Sequence, residues 1–121
     1  MITTENVAAA FDEVAPRYDL MVALNPGYHA HLLAAANGLA EWLPVPQPAE
    51  PPSIHLLDLG CGSGASTRAV LDAVQAVGHQ CTVVGIDASA GMLDQARAKE
   101  WPTSVRFEVG QAEEIVGSHE L

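Results

Sequence analysis

Leu56-Leu57-Asp58-Leu59-Gly60-Cys61-Gly62-Ser63-Gly64 decides how this chain is read. Leu56, Leu57 and Leu59 are apolar, as a strand of a parallel sheet covered on both faces should be. Gly60, Gly62 and Gly64 open backbone torsions closed to other residues and leave no Cβ in the way of a ligand. The spacing predicts a helix over Ser66 to Val77, whose first N–H groups point back into the loop, where anionic groups bind well. Two nucleotide-binding readings compete. Gly60, Gly62 and Ala65 formally satisfy the dinucleotide fingerprint G-x-G-x-x-G/A. Asp58 and Gly64 are additions to that pattern. A carboxylate at a strand end repels a pyrophosphate and suits an ammonium group. No Gly-Lys-Ser or Gly-Lys-Thr follows, which excludes a P-loop.

Beyond this stretch the pattern alternates strand and helix. Ile54 to Leu59 is the expected first strand. The helix after the glycines turns Val70, Leu71, Val74 and Val77 inward, and Gly78 ends it. Cys81 to Ile86 is the second strand. A short helix from Ala90 to Lys99 buries Met92, Leu93 and Ala96, with Trp101-Pro102 interrupting it. Val105 to Val109 is the third strand, and its alternation with Arg106 and Glu108 suits an edge with one wetter face.

Upstream, Thr3 or Thr4 caps a short helix with Val7, Ala8 and Phe11 on one face, and Pro16 is expected to break or bend it. Asn25-Pro26-Gly27 reads as a turn. A second helix from Tyr28 to Leu43 lines up Leu32, Ala36, Leu39 and Leu43. Pro44, Pro46, Pro48, Pro51 and Pro52 then make a stiff spacer. The expected division is a helical cap over 1–43, a proline-rich linker over 44–53 and a nucleotide-binding unit over 54–121.

The chain has 121 residues, enough for one small domain, and 49% of them are hydrophobic, so it should fold. The formal net charge is −10, with five basic residues, which argues against nonspecific binding to nucleic acid or to an anionic membrane. No apolar run approaches the roughly 20 residues needed to span a bilayer, and no signal peptide is seen. A cytoplasmic location is the default expectation. Cys61 and Cys81 lack metal-ligand spacing and read as small buried thiols. His29, His31, His55, His79 and His119 form no metal pattern and are expected at the solvated surface.

Leu57 to Gly64 resembles motif I of the class I S-adenosylmethionine-dependent methyltransferases. Val83-Val84-Gly85-Ile86-Asp87 resembles their next motif, and Ala88 to Leu93 its continuation. Phe11-Asp12-Glu13-Val14-Ala15-Pro16-Arg17-Tyr18-Asp19 resembles the opening of the ubiquinone/menaquinone-biosynthesis type. The resemblance implies an α/β fold with a Rossmann-like doubly wound parallel sheet. The family's sheet has seven strands ordered 3-2-1-4-5-7-6, and this sequence carries the N-terminal three-strand half, order 3-2-1, under a helical cap.

The resemblance also assigns residues. S-adenosylmethionine is the implied cofactor, held by Gly60, Cys61, Gly62 and Gly64 of the loop. Asp58 lies near the methionyl amino group, or else caps the following helix. Asp87 accepts the ribose hydroxyls, or else caps the helix after it. Ala88 and Met92 pack on adenine. Gln111-Ala112 stands where related enzymes often carry Asp-Ala, so Gln111 offers an amide oxygen where a carboxylate is usual. Tyr18 falls in the segment resembling the cofactor lid. No catalytic residue is assigned, and no metal.

The implied activity is methyl transfer to a small-molecule acceptor. The alternative is a truncated, non-catalytic cofactor-binding or interaction module. The first strand, left as an apolar edge, invites pairing with another copy or a complementing chain. A nicotinamide-dependent oxidoreductase stays open through the shared glycine pattern.

Overall fold

The structure is a computed structural model that describes residues 3–44, 54–111 and 113–114. Two helices, α1 (Thr4–Ala23) and α2 (Pro26–Trp42), precede β1 (Ile54–Leu59), α3 (Ala65–Ala76), β2 (Cys81–Asp87), α4 (Ala90–Arg97) and β3 (Val105–Val109). The linker expected over 44–53 lies outside the described residues except for Pro44.

The three strands form one parallel sheet in the order β1-β2-β3, the expected 3-2-1 arrangement. Leu56 pairs with Val83, and Val83 with Val105. In a parallel sheet paired residues share a face, so these side chains point the same way. They meet α3, whose Leu71 and Val74 are fully buried with Cys81 and Val83. On the β3 side of that face, Leu93 and Ala96 of α4 pack with Phe107 and Cys61. The opposite face carries His55, Leu57, Leu59, Thr82, Val84, Ile86 and Arg106. Ile86 is buried, at 1% exposure, whereas Leu59 is 40% exposed, and none of these residues belongs to a buried core cluster among the described residues. Strand β1 pairs only with β2 among the described residues.

The cap helices are packed onto the sheet's own helices. Ala36 and Ala40 of α2 meet Ala69 and Ala73 of α3, and four small side chains let the two backbones close up. Chain order adds a tie at the base, where the buried His79 donates through Nε2 to the Pro44 carbonyl at 2.7 Å. This corrects the surface placement expected for His79: an imidazole that satisfies a backbone carbonyl is worth burying.

Several boundaries also differ. Helix α1 continues through Pro16, which the expectation of a break did not allow. The ring supplies no N–H for the Asp12 carbonyl, and that carbonyl lies beside Gly91 of α4, where α1 is held by its contact with the next helix. Pro26 and Gly27 belong to α2: Pro26 sits in its first turn, where its missing N–H costs nothing, and the Asn25 side chain caps the Tyr28 N–H at 3.2 Å. Leu39 is 41% exposed, and the buried face of α2 is Ala36 and Ala40 instead. Val77 is 43% exposed because α3 has already ended at Ala76. Trp101 follows α4 and folds back, donating its Nε1–H to the Ala96 carbonyl at 2.7 Å.

The core predicts an asymmetric response to truncation. Leu71→Ala should lower stability by about 2–5 kcal/mol in urea unfolding. Leu24→Ala, at a side chain 77% exposed, should stay within about 0.5 kcal/mol of the parent.

Candidate functional site

The β1–α3 loop turns back over the end of β2. The Gly60 and Cys61 N–H groups both donate to the Ile86 carbonyl, at 2.7 and 3.1 Å. Gly62 and Gly64 adopt left-handed backbone, with φ of 55° and 93°. At Gly62 a Cβ would stand 3.1 Å from the Met92 methyl. At Gly64 it would stand 2.8 Å from the Trp101 ring, so this glycine serves packing of the loop on Trp101. A Cβ at Gly60 would meet nothing.

Asp87 ends β2 and ties two loops together. Its Oδ2 accepts the Gly62 N–H at 2.8 Å, and its Oδ1 accepts the Ser89 N–H at 2.9 Å. Ser89 in turn caps α4 through the Met92 N–H at 3.1 Å. The cap of α4 is thus Ser89 and not Asp87, whose carboxylate instead spans the turn and the glycine loop. Each carboxylate oxygen has a further lone pair for a ligand hydroxyl.

Beside this carboxylate lies a cavity of about 340 Å³, within the size range of small-molecule sites. Of the residues expected from sequence, Tyr18, Gly60, Gly62, Asp87, Ala88, Met92 and Gln111 line it together. Asp58, Cys61 and Gly64 do not line it. Ala112 lies outside the described residues.

Asp58 is engaged elsewhere: its Oδ2 accepts the Ser66 hydroxyl at 2.9 Å and the Thr67 hydroxyl at 2.6 Å. It holds the first turn of α3 onto β1, close to the capping alternative read from sequence. Cys61 is buried against Leu93, Ala96 and Phe107. Burial, with Asp58 and Asp87 nearby, pushes its thiol up to about 12.

The other wall is α1, the segment resembling the cofactor lid. Val7, Ala8 and Phe11 line the cavity, with Ile86, Gly110 and Glu113. The resemblance placed a helical cap here; which of its side chains line the cavity was not legible in the sequence. The Phe11 and Tyr18 rings meet edge to face at 6.3 Å. Burial and the neighbouring Tyr28 push the Tyr18 phenol up, so it stays a neutral donor at neutral pH. No group of His, Cys, Asp and Glu among the described residues has the makings of a metal site.

Comparison with known proteins adds a family. Residues 56–120 match the family described as "Methyltransferase domain". The chain is 40% identical over 72 residues to the trans-aconitate 2-methyltransferase of Deinococcus radiodurans, covering 60% of this chain and 26% of that protein. It is 37% identical over 98 residues to the demethylmenaquinone methyltransferase of Lactiplantibacillus plantarum, covering 78% of this chain and 35% of that protein. Among solved structures, it superposes with a TM-score of 0.55 and 28% identity on a chain of the complex between the Haloferax volcanii Trm112 methyltransferase activator and a methyltransferase. That match covers 83% of this chain and 38% of the other. The chain thus spans 26% and 35% of the lengths of the two curated relatives.

The buried loop thiol has a direct consequence. With the Cys61 thiol raised to about 12 and the Cys81 thiol also raised by burial, both stay protonated at pH 8 in the folded chain. Ellman's reagent at pH 8 should label neither in native buffer and both once urea is added.

Proposed function

Because this chain belongs to the methyltransferase-domain family, we propose that its cavity binds S-adenosylmethionine and serves methyl transfer to a small-molecule acceptor. The observation that carries this reading is Asp87, a carboxylate fixed by two backbone N–H groups at the cavity wall beside the glycine loop. A carboxylate so held is ready to accept two vicinal ribose hydroxyls without reorganising. Ile86, Ala88 and Met92 supply apolar wall for a purine, and the Gln111 amide supplies an acceptor for its amino group. Gly60, where a side chain would meet only open space, leaves the backbone accessible to the methionyl part. Tyr18 offers a neutral hydroxyl at the α1 side. Asp58 acts one step back, keeping α3 and the loop in register through Ser66 and Thr67.

Bound there, the sulfonium supplies an already activated methyl carbon. The protein's share is to orient the donor, align the acceptor and exclude water. The donor itself needs no acid or base, and a proton given up by a neutral acceptor passes to water or to an acceptor-side group. No described helix is long and apolar enough to cross a membrane.

A second reading concerns completeness, and the open sheet favours it. Among the described residues β1 has a strand partner on one side only, and of the face carrying Leu57, Leu59, Val84 and Ile86 only Ile86 is buried, while Leu59 is 40% exposed. We infer that another copy of this chain or a further polypeptide covers that edge and completes the acceptor side. The structural neighbour solved together with an activator supports a partnered arrangement.

Two measurements test these readings. Calorimetric titration with S-adenosylhomocysteine should give one site, and Asp87→Ala should weaken it about 100-fold, the loss of two charge-assisted hydrogen bonds. A folded chain that ignores this ligand but binds NADH would overturn the cofactor assignment. Sedimentation velocity should show association rising with concentration, whereas a stable, soluble monomer at high concentration would overturn self-pairing.

A further inference from the structure

Helix α1 is fastened to the rest of the chain in an unusual way. Its one side chain below 2% exposure among the described residues is Ala15. Its larger apolar residues are elsewhere: Leu20 and Met21 are 65% and 58% exposed, while Val7, Phe11 and Tyr18 line the cavity. The residues that grip the neighbours are polar and fall with Ala15 on one stripe, at positions 12, 15 and 19. Asp12 Oδ1 accepts the Ser89 hydroxyl at 2.6 Å and the Gly91 N–H at 2.7 Å. Asp19 pairs with Lys99 at 3.1 Å, and Lys99 also donates to the Ser63 carbonyl of the glycine loop at 2.7 Å.

The Asp12 contact is built into both partners. A Cβ at Gly91 would stand 3.0 Å from Asp12 Oδ1 and 3.1 Å from its Cα, so only glycine lets α1 come this close. Ser89 is fully buried and serves both carboxylates, giving its hydroxyl to Asp12 and its N–H to Asp87. A continuous polar chain therefore runs from α1 through Ser89 and Asp87 to the Gly62 N–H. Asp12 also satisfies an N–H in the first turn of α4 that the Ser89 cap leaves open.

We propose that Asp12 is a positioning residue for the nucleoside site: it latches α1 to the β2–α4 turn and so holds the apolar wall of Val7, Phe11 and Tyr18 over the cavity. The inference rests on the nucleoside-binding reading of that cavity. Asp12 itself does not line the cavity and acts through α1 and Ser89. When the latch is broken, α1 spends part of its time undocked, and apparent affinity falls by the fraction of chains still closed.

Hydrogen exchange on the full chain, with calorimetric titration of S-adenosylhomocysteine, tests this. Asp12→Ala should speed amide exchange in α1 while β1, β2 and β3 keep their protection, and should weaken ligand binding about tenfold. Asp12→Asn keeps an acceptor oxygen and should restore most of both. Gly91→Ala leaves the carboxylate in place but pushes α1 away, and should reproduce the Asp12→Ala pattern. Exchange in α1 that is unchanged by Asp12→Ala would overturn the latch. So would a rise spread equally over α1 and the strands, which would mark a general stabilising cap. Released α1 with unaltered ligand affinity would overturn the positioning role. If the parent chain fails to bind the ligand at all, the cavity assignment falls and the positioning role with it. The α1 exchange comparison without ligand still decides whether the latch exists.

Discussion

One carboxylate holds the site together. Asp87 accepts an N–H from the glycine loop on one oxygen and an N–H from the β2–α4 turn on the other. Two loops that would otherwise diverge from adjacent strand ends are thereby drawn to a common point. Gly62 donates its N–H to Asp87 while its left-handed torsion turns the chain that follows, and the absence of a Cβ lets the loop backbone lie against Met92. Asp58 performs the equivalent task one strand over, with hydroxyls in place of amides. Strand-end acids in this chain thus fix geometry before they meet any ligand.

The packing beneath is arranged to leave that geometry undisturbed. Gly85 has no side chain, and the space goes to the Phe107 ring and the Cys61 sulfur, which lie 2.6 and 3.0 Å from where a Cβ would be. Trp101 fills the space under Gly64, meets Phe107 edge to face at 5.2 Å and carries the Arg68 guanidinium on its ring at 4.3 Å. The glycines of this fold therefore have different duties. Gly62 and Gly64 shape the loop, Gly85 makes room in the core, and Gly91 admits a neighbouring helix.

Much of this was legible in the residues. The glycine loop, the three strands and the inward faces of Leu71, Val74, Met92 and Leu93 follow from local spacing, because period and turn chemistry are written within a few residues. Pro16 misled, since a local rule disfavours a helix that the docking of α1 on α4 sustains. The duty of Gly64 was hidden because Trp101 lies far along the chain. Asp12 and Lys99 were invisible for the same reason: their partners are 77 and 80 residues away, and pairing at that separation leaves no periodic trace. Asp58 was half legible, with its position plain and its partners not.

The apolar stripe of α1 carries a thermodynamic consequence. A helix whose large hydrophobic side chains face a cavity leaves part of its burial undone until something fills that space. Hydration of that stripe is then released at the binding step as well as during folding, and the heat capacity of the system is divided between the two events. The free chain gives up some of the cooperativity that a fully packed helix would lend it. In return, a filled cavity becomes part of the hydrophobic core.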